Sequence, residues 1–361
     1  MSDQYITPIW QGFQFQWRRY PHRVSVLGSR FNNLITNNDE VSFYHDQHLK
    51  IGNWPSGDAS YQVPFGLLIS SSLFTAQGRT EPIDLTSQFQ KGCAECLEIK
   101  VPLSQLQSLG PMPKIYKTKL PQIKIAVNGF SITPKGNDSG WHFGGIGIHI
   151  ENARWEGTEH IVFQLNAFIR PAGSPEPYPH GNVERKQNKL WKIADPCCYM
   201  MQIDYTVFLA SEKQMEVTDA VVSHHVKNRK MVEHFEQLEF SYNKKEYDFA
   251  FPVLSGFKLA LDAHKPGAKK TGRYVRGMGV FLKDIHLNKR KGKLYCLAGY
   301  QFSNTILDKK KFTAFPWNFE ATLHVSQIAV KDEGSVTYQS VSGNTFNADD
   351  YVYSKRIVMK Q

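Results

Sequence analysis

The feature that most constrains this chain is its punctuation. Short segments rich in Val, Ile, Phe, Tyr and Thr recur from end to end, each closed by Gly, Pro, Asn or Asp. Val24–Phe31, Val41–Leu49, Ile123–Ile132, Ile146–Ile150, Ile161–Ile169, Tyr205–Leu209, Phe257–Leu261, Gly279–Leu287, Leu294–Phe302 and Thr322–Val330 all have this form. β-Branched and aromatic side chains favour a pleated, half-buried backbone, and the closing residues favour turns. Helical periodicity is weak. Val221–Leu238 comes nearest to it, but the paired Val221 and Val222 and a His-rich middle argue against a helix. The pattern predicts a mainly β protein.

Three stretches resemble one another. VSVLGSRFNN (24–33) precedes VSFYHDQHL (41–49), GIGIHIEN (145–152) precedes IVFQLNAFI (161–169), and GMGVFLKD (277–284) precedes LYCLAGYQF (294–302). Each reads as a strand ending in Asn or Asp, a turn, and a strand of matching length. Asn33, Asn152 and Asp284 are then equivalent, as short side chains that bond their own backbone in a turn. A further strand follows in each copy, which aligns Phe65, Tyr199 and Phe319. The expectation is three tandem β-sandwich-like units of about 120 residues, at 1–115, 116–235 and 236–361. Glu98–Pro121 and Val226–Pro252 are the candidate connectors, and the Pro- and Gly-rich stretch 170–189 reads as an exposed loop.

Composition bounds the class. With 361 residues, 41% hydrophobic and 13% aromatic, the chain can build sizeable cores and is not intrinsically disordered. No apolar run approaches the roughly 18 residues of a membrane-spanning helix. The N-terminus lacks the basic start and apolar stretch of a secretory signal. Five cysteines leave at least one thiol unpaired. A cytoplasmic protein with reduced thiols is the expectation. The formal charge of +10 resides in the last third, where residues 241–361 hold 20 Lys and Arg against 10 Asp and Glu.

Few constellations carry chemistry. Cys93-x-x-Cys96 supplies half of a zinc site, and adjacent Cys197 and Cys198 point to opposite faces of a strand. His149 and Glu151 share a strand face, which His160 on the partner strand could approach; in the other copies these positions hold Arg30 and Asn32, or Phe281 and Lys283. His45 and His48, three apart, fall on opposite faces. Gly144, Gly145 and Gly147 precede no helix and mark a bulge or a close approach rather than a dinucleotide site. Nucleophile-elbow, phosphate-loop and His-Glu-x-x-His motifs are absent from the sequence. No cofactor or metal is expected.

The basic cluster is the clearest charge signal. It comprises Lys269, Lys270, Arg273 and Arg276, then Lys289, Arg290, Lys291 and Lys293, then Lys309–Lys311, with Tyr274 and Tyr295 interleaved. If these loops converge they attract an anionic polymer. Trp141, Tyr178, Trp191 and Tyr274 could stack on sugars or bases near them. Equivalent turns of opposite sign, Glu156 with Glu159 and Lys289–Lys293, could join copies head to tail as a homo-oligomer. The expected function is a non-enzymatic binding or assembly protein that presents loops to a macromolecular partner or to itself. Two alternatives remain open. One is an enzyme acting on a polysaccharide or other polymer through a carboxylate pair between units, drawn from Glu151, Glu156, Glu159, Asp204 and Glu233. The other is a membrane-active toxin using Tyr205–His225 as an amphipathic hairpin.

Overall fold

The computed structural model describes residues 4–17, 24–37, 40–51, 59–85, 95–134 (apart from 109, 114–115 and 117–118), 143–171, 199–229, 231–261, 273–308, 311–313, 317–331, 334–345 and 352–360. The alternating pattern becomes strand throughout; among the described residues the one named helical element is a 3-10 turn, Leu103–Gln105. The strands are β1 (Tyr5–Trp10), β2 (Gly12–Trp17), β3 (Val24–Asn37), β4 (Glu40–Ile51), β5 (Ala59–Ser70), β6 (Phe74–Arg79), β7 (Ile83–Asp84) and β8 (Glu95–Pro102). They continue as β9 (Gln122–Pro134), β10 (Phe143–Glu156), β11 (His160–Pro171), β12 (Tyr199–Ala210), β13 (Met215–Arg229) and β14 (Met231–Ser241). The last are β15 (Phe249–Leu261), β16 (Arg273–Asn288), β17 (Lys293–Asp308), β18 (Lys311–Thr313), β19 (Trp317–Val330), β20 (Ser335–Thr345) and β21 (Val352–Lys360). Val221–Leu238 is therefore strand, split between β13 and β14, and both candidate connectors contain strand.

Three antiparallel sheets form, and one pairing scheme describes each. The first runs β21-β4-β3-β9-β12-β6, the second β8-β11-β10-β15-β19-β13. The third runs β14-β17-β16-β2-β5-β20, with β1 beside β5. In each, a hairpin (β3–β4, β10–β11 or β16–β17) pairs with the long strand and its partner from the next third of the chain. One edge strand comes from the hairpin's own third and the other from the preceding third. The scheme closes on itself, because β20 pairs with β5 and β21 with β4. The boundaries near 115 and 235 therefore do not separate sheets.

The long strands Tyr5–Trp17, Gln122–Pro134 and Phe249–Leu261 bulge at the same place. Asn128 and Ser255 are extruded from their ladders with β12 and β19, and Gln11 interrupts the first strand between β1 and β2. A glycine follows each bulge, and a phenylalanine follows each glycine, giving Gly12-Phe13, Gly129-Phe130 and Gly256-Phe257. A Cβ on Gly129 would lie 2.5 Å from the Ser29 carbonyl oxygen, and its φ of +149° disfavours any other residue. Gly12 and Gly256 meet the backbone of β16 and β10 as closely. The three phenyl rings converge, with centroids 5.1 Å (Phe13–Phe130), 5.8 Å (Phe13–Phe257) and 5.8 Å (Phe130–Phe257) apart. Trp10 rests about equally near all three, at 6.0, 6.1 and 6.2 Å, and all four side chains are buried. Side chains at the bulges bind the neighbouring long strands, through Gln11 Nε2 to Pro252 O (2.9 Å) and Trp10 N to Asn128 Oδ1 (3.1 Å).

Asn33, Asn152 and Asp284 do share one conformation, with φ of 52°, 53° and 50°. They do not end their strands. Each lies at a register shift inside a hairpin, four or more residues before the turn. A left-handed residue there adds twist, and Asn and Asp tolerate it best after Gly. The following strands align differently from the sequence spacing. Trp10, Val127 and Leu254 stand opposite Phe65, Tyr205 and Val325, not Phe65, Tyr199 and Phe319.

Truncating any ring of the central triad removes a fully buried phenyl from a site with no room to relax. Phe130→Ala and Phe257→Ala should each cost about 3–5 kcal/mol of unfolding free energy in urea titrations. A loss under about 1 kcal/mol would contradict a shared central packing site.

Candidate functional site

The basic residues do not gather into one patch. Lys269 and Lys270 lie outside the described residues, as does Lys309–Lys310. Arg273, Tyr274 and Arg276 begin β16, while Lys289–Lys291 form the turn after it. Arg273 stands opposite Ile306 and Asn288 opposite Lys293, so the two groups occupy opposite ends of the hairpin, about 50 Å of strand apart. Lys293 opens β17 and its ammonium is ion-paired to Glu239, whose carboxylate raises the Lys293 pKa.

The turn end gains cations that sequence reasoning missed. β14 pairs with β17, which brings the connection after Ser241 against the β16–β17 turn. Tyr242 N donates to Gly292 O (2.9 Å), and Lys244 Nζ donates to the Arg290 carbonyl (2.7 Å). Exposed Lys244 and Lys245 thereby join exposed Lys289, Arg290 and Lys291 on two turns bonded to each other. In the sequence, Lys244 and Lys245 sit among the charges of Val226–Pro252, and nothing local assigns them to this turn. Of the proposed acidic counterpart, Glu156 is engaged by Lys100 Nζ at 2.6 Å on its own sheet. Loop 172–189 and Trp141, Tyr178 and Trp191 lie outside the described residues. So do Cys93, Cys197 and Cys198; the described free thiol, Cys296, is buried, which pushes its pKa up to about 12.

The candidate carboxylates are dispersed. Glu151 and Glu156 belong to β10 of the second sheet and Glu159 to the turn after it, Glu233 to β14 of the third, and Asp204 to β12 of the first. Tyr205–His225 is no hairpin, because β12 and β13 pair in different sheets.

One polar constellation does form, in a straight row across the first sheet. Register places Ser354, Asp46, Arg30, Gly129, Asp204 and Arg79 side by side on β21, β4, β3, β9, β12 and β6. Arg30 Nε lies 3.6 Å from Asp46 Oδ2, and Arg79 Nε donates to Asp204 Oδ1 at 2.5 Å. Ser354 Oγ and Asn32 Nδ2 also donate to Asp46. The Asp46 and Asp204 side chains are each 8% exposed, Arg30 16% and Arg79 39%, so the row opens to solvent at its Arg79 end. Burial raises the Asp204 pKa against the pull of Arg79 and Arg30. Asp204 Oδ2, Arg30 Nε, Asn32 Oδ1, Thr206 Oγ1 and both ring nitrogens of His48 make no hydrogen bond among the described residues. Each such buried group costs on the order of 1–3 kcal/mol when left dry.

The matching rows of the other sheets hold different chemistry. Over Gly256, His149 stacks on His324 with centroids 3.7 Å apart, and Asn166 Nδ2 donates to Glu151 Oε1 (2.8 Å). The rings are near parallel, so their lone pairs run side by side and cannot meet on one metal ion. In the third sheet Phe281 turns the other way and packs on Phe235 over Gly299 of β17, at 5.3 Å, with Lys283 Nζ 3.7 Å above the Phe235 ring. His45 faces the core instead, bonded to Ser29 Oγ at 3.1 Å. No protein-family model matches the chain, and neither does any curated protein or solved structure.

Buried histidines set the acid response. Burial lowers His45 to about 3 and His48 and His324 to about 4, and also lowers His149 and His234. The charges of Arg30, Asp46 and Arg79 act on His48, and those of Asp46, His48 and Lys355 act on His45 through the strand. The folded state therefore binds fewer protons than the unfolded chain below pH 6.5. Stability is complete above that value and falls as pH drops toward 4. Urea titrations at pH 7 and 5 should differ by roughly 2 kcal/mol for each of His45 and His48, and His48→Gln should remove one such share. A midpoint unchanged between the two pH values would contradict neutral burial.

Proposed function

We propose that the chain is a non-enzymatic binding protein built from three interlocked copies of one β unit, and that it docks an anionic polymer on the turn cluster Lys244, Lys245, Lys289, Arg290 and Lys291. The observation that carries the docking surface is the bonding of the two turns to each other, which holds five exposed cations on short, well-anchored backbone. A cluster held in place loses little conformational freedom when phosphates or sulfates arrive, and its counterions are released.

The unit reading draws on three coincidences. The pairing scheme recurs in all three sheets, the Gly-Phe pair follows a bulge in all three long strands, and a left-handed Asn or Asp bends all three hairpins. Strand exchange makes the chain equivalent to a trimer whose protomers are covalently joined, with β20 and β21 closing the ring on the first unit.

Both parts are testable. Lys289→Glu, Arg290→Glu and Lys291→Glu together should abolish binding of a fluorescent single-stranded oligonucleotide at low salt. Wild-type affinity should fall steeply with salt, with a log–log slope of about −2 to −4. Undiminished binding by the triple variant would sink the docking surface. For the unit reading, a short linker from Gln361 to Met1 takes the place that residues 242–248 occupy between β14 and β15. A circular permutant so joined, and opened at Gly110, should unfold within about 1 kcal/mol of the parent. An insoluble or unfolded permutant would argue against equivalent units.

A further inference from the structure

We propose that a cavity between the first and second sheets is a binding site for an aromatic amine, a small molecule that carries an aryl ring and a cationic arm. The cavity has a volume of about 450 Å³ and is lined by Gln122 and Ile123 of β9, by Met215, Glu216 and Val217 of β13, and by Tyr247. That volume lies in the range of small-ligand pockets. Met215 and Tyr247 are buried, whereas Gln122 and Glu216 are exposed, so the cavity opens to solvent beside those two.

The fold supplies its own control. Gln122 lies seven residues before Gly129 and stands opposite Ala210. The same position before the glycine holds Tyr5 in the first long strand, opposite Ser70, and Phe249 in the third, opposite Val330. Both of those rings are buried. Tyr5 packs edge-on against Phe74 at 5.2 Å and donates to Pro111 O at 3.1 Å. Phe249 lies so close to Gly334 that a Cβ there would meet the ring at 2.6 Å. Phe74 opens β6 and Gly334 immediately precedes β20, just as Met215 opens β13. The seam beside Met215 therefore has an exposed Gln122 where the other two seams have a buried ring, and the cavity lies there. An aryl ring from a ligand completes the pattern.

The remaining walls select the rest of the ligand. Ile123, Met215 and Val217 offer apolar and thioether surface to a ring. Glu216 makes no hydrogen bond or ion pair among the described residues. Burial, and then the charges of Glu216 and Glu246, raise the Tyr247 pKa, so the field at this wall is negative. Lys244, on the same connection, directs its ammonium to the Arg290 carbonyl. A cationic arm gains a carboxylate partner at Glu216, and an anionic arm is repelled.

Saturation-transfer NMR on the full chain tests this, with phenethylamine and its anionic counterpart hydrocinnamate each at about 1 mM, near the affinity so small a ligand supports. Wild type should transfer magnetisation to phenethylamine and about tenfold less to hydrocinnamate. Gln122→Phe, which places a ring where Tyr5 and Phe249 have one, should fill the cavity, abolish the signal and raise the urea midpoint. Glu216→Gln keeps the cavity and should level the signals of the two ligands, and circular dichroism confirms that each variant is folded. The turn variant Lys289→Glu, Arg290→Glu, Lys291→Glu should keep the full signal even where oligonucleotide binding is gone, which separates the two surfaces. Absence of transfer to phenethylamine, equal transfer to both ligands in wild type, or loss of the signal in the turn variant would overturn the proposal. So would an undiminished signal or an unraised midpoint in Gln122→Phe, or an unchanged preference in Glu216→Gln.

Discussion

Three phenyl rings meeting where three strands cross is the contact on which the remaining architecture hangs. It requires each long strand to approach a neighbouring hairpin more closely than a side chain allows, and a glycine provides that room in every case. The residue before the glycine interrupts the strand; Gln11 and Asn128 bond to adjacent long strands, whereas the Ser255 hydroxyl bonds to Ser326 of β19. Aromatic pairs at these separations add about 0.5–1.5 kcal/mol each beyond burial. Trp10 fills the space above the triad that Val127 and Leu254 leave at the corresponding positions. The centre thus combines three Gly-Phe strands with a single Trp.

Much of this is legible in the sequence, and the exceptions have physical reasons. Strand alternation is a local property, so the β class follows from residues alone. The Asn and Asp positions were recognisable because φ near +50° restricts residue choice, but their role as bulges within strands depends on the partner's register. The Gly-Phe pairs at 12, 129 and 256 were present as a signal and were overshadowed by longer hydrophobic runs. Val226–Pro252 reads as a connector because its charges face solvent from edge strand β14, which lies on one neighbour only.

The candidate sites were less legible. Sequence proximity groups Arg273 with Lys289, yet β16 separates them by its full length. Lys244 and Lys245 reach the turn only through pairing between β14 and β17. The row of Asp46, Arg30, Asp204 and Arg79 draws on four strands from two thirds of the chain, so no window of sequence contains it. The comparison of Arg30 with His149 and Phe281 is what sequence reading contributes, because it identifies one position with three different solutions.

Closure of the ring has a consequence for how the molecule is made. The first third offers β4 and β5 as open edges, and their partners β21 and β20 follow only after β19 in the chain. Pairing Val341 with Val63, or Ile357 with Phe43, joins residues nearly a whole chain apart. Contacts of such span slow folding and leave sticky margins waiting. A nascent chain must hold its opening strands unsatisfied until β20 and β21 have left the ribosome.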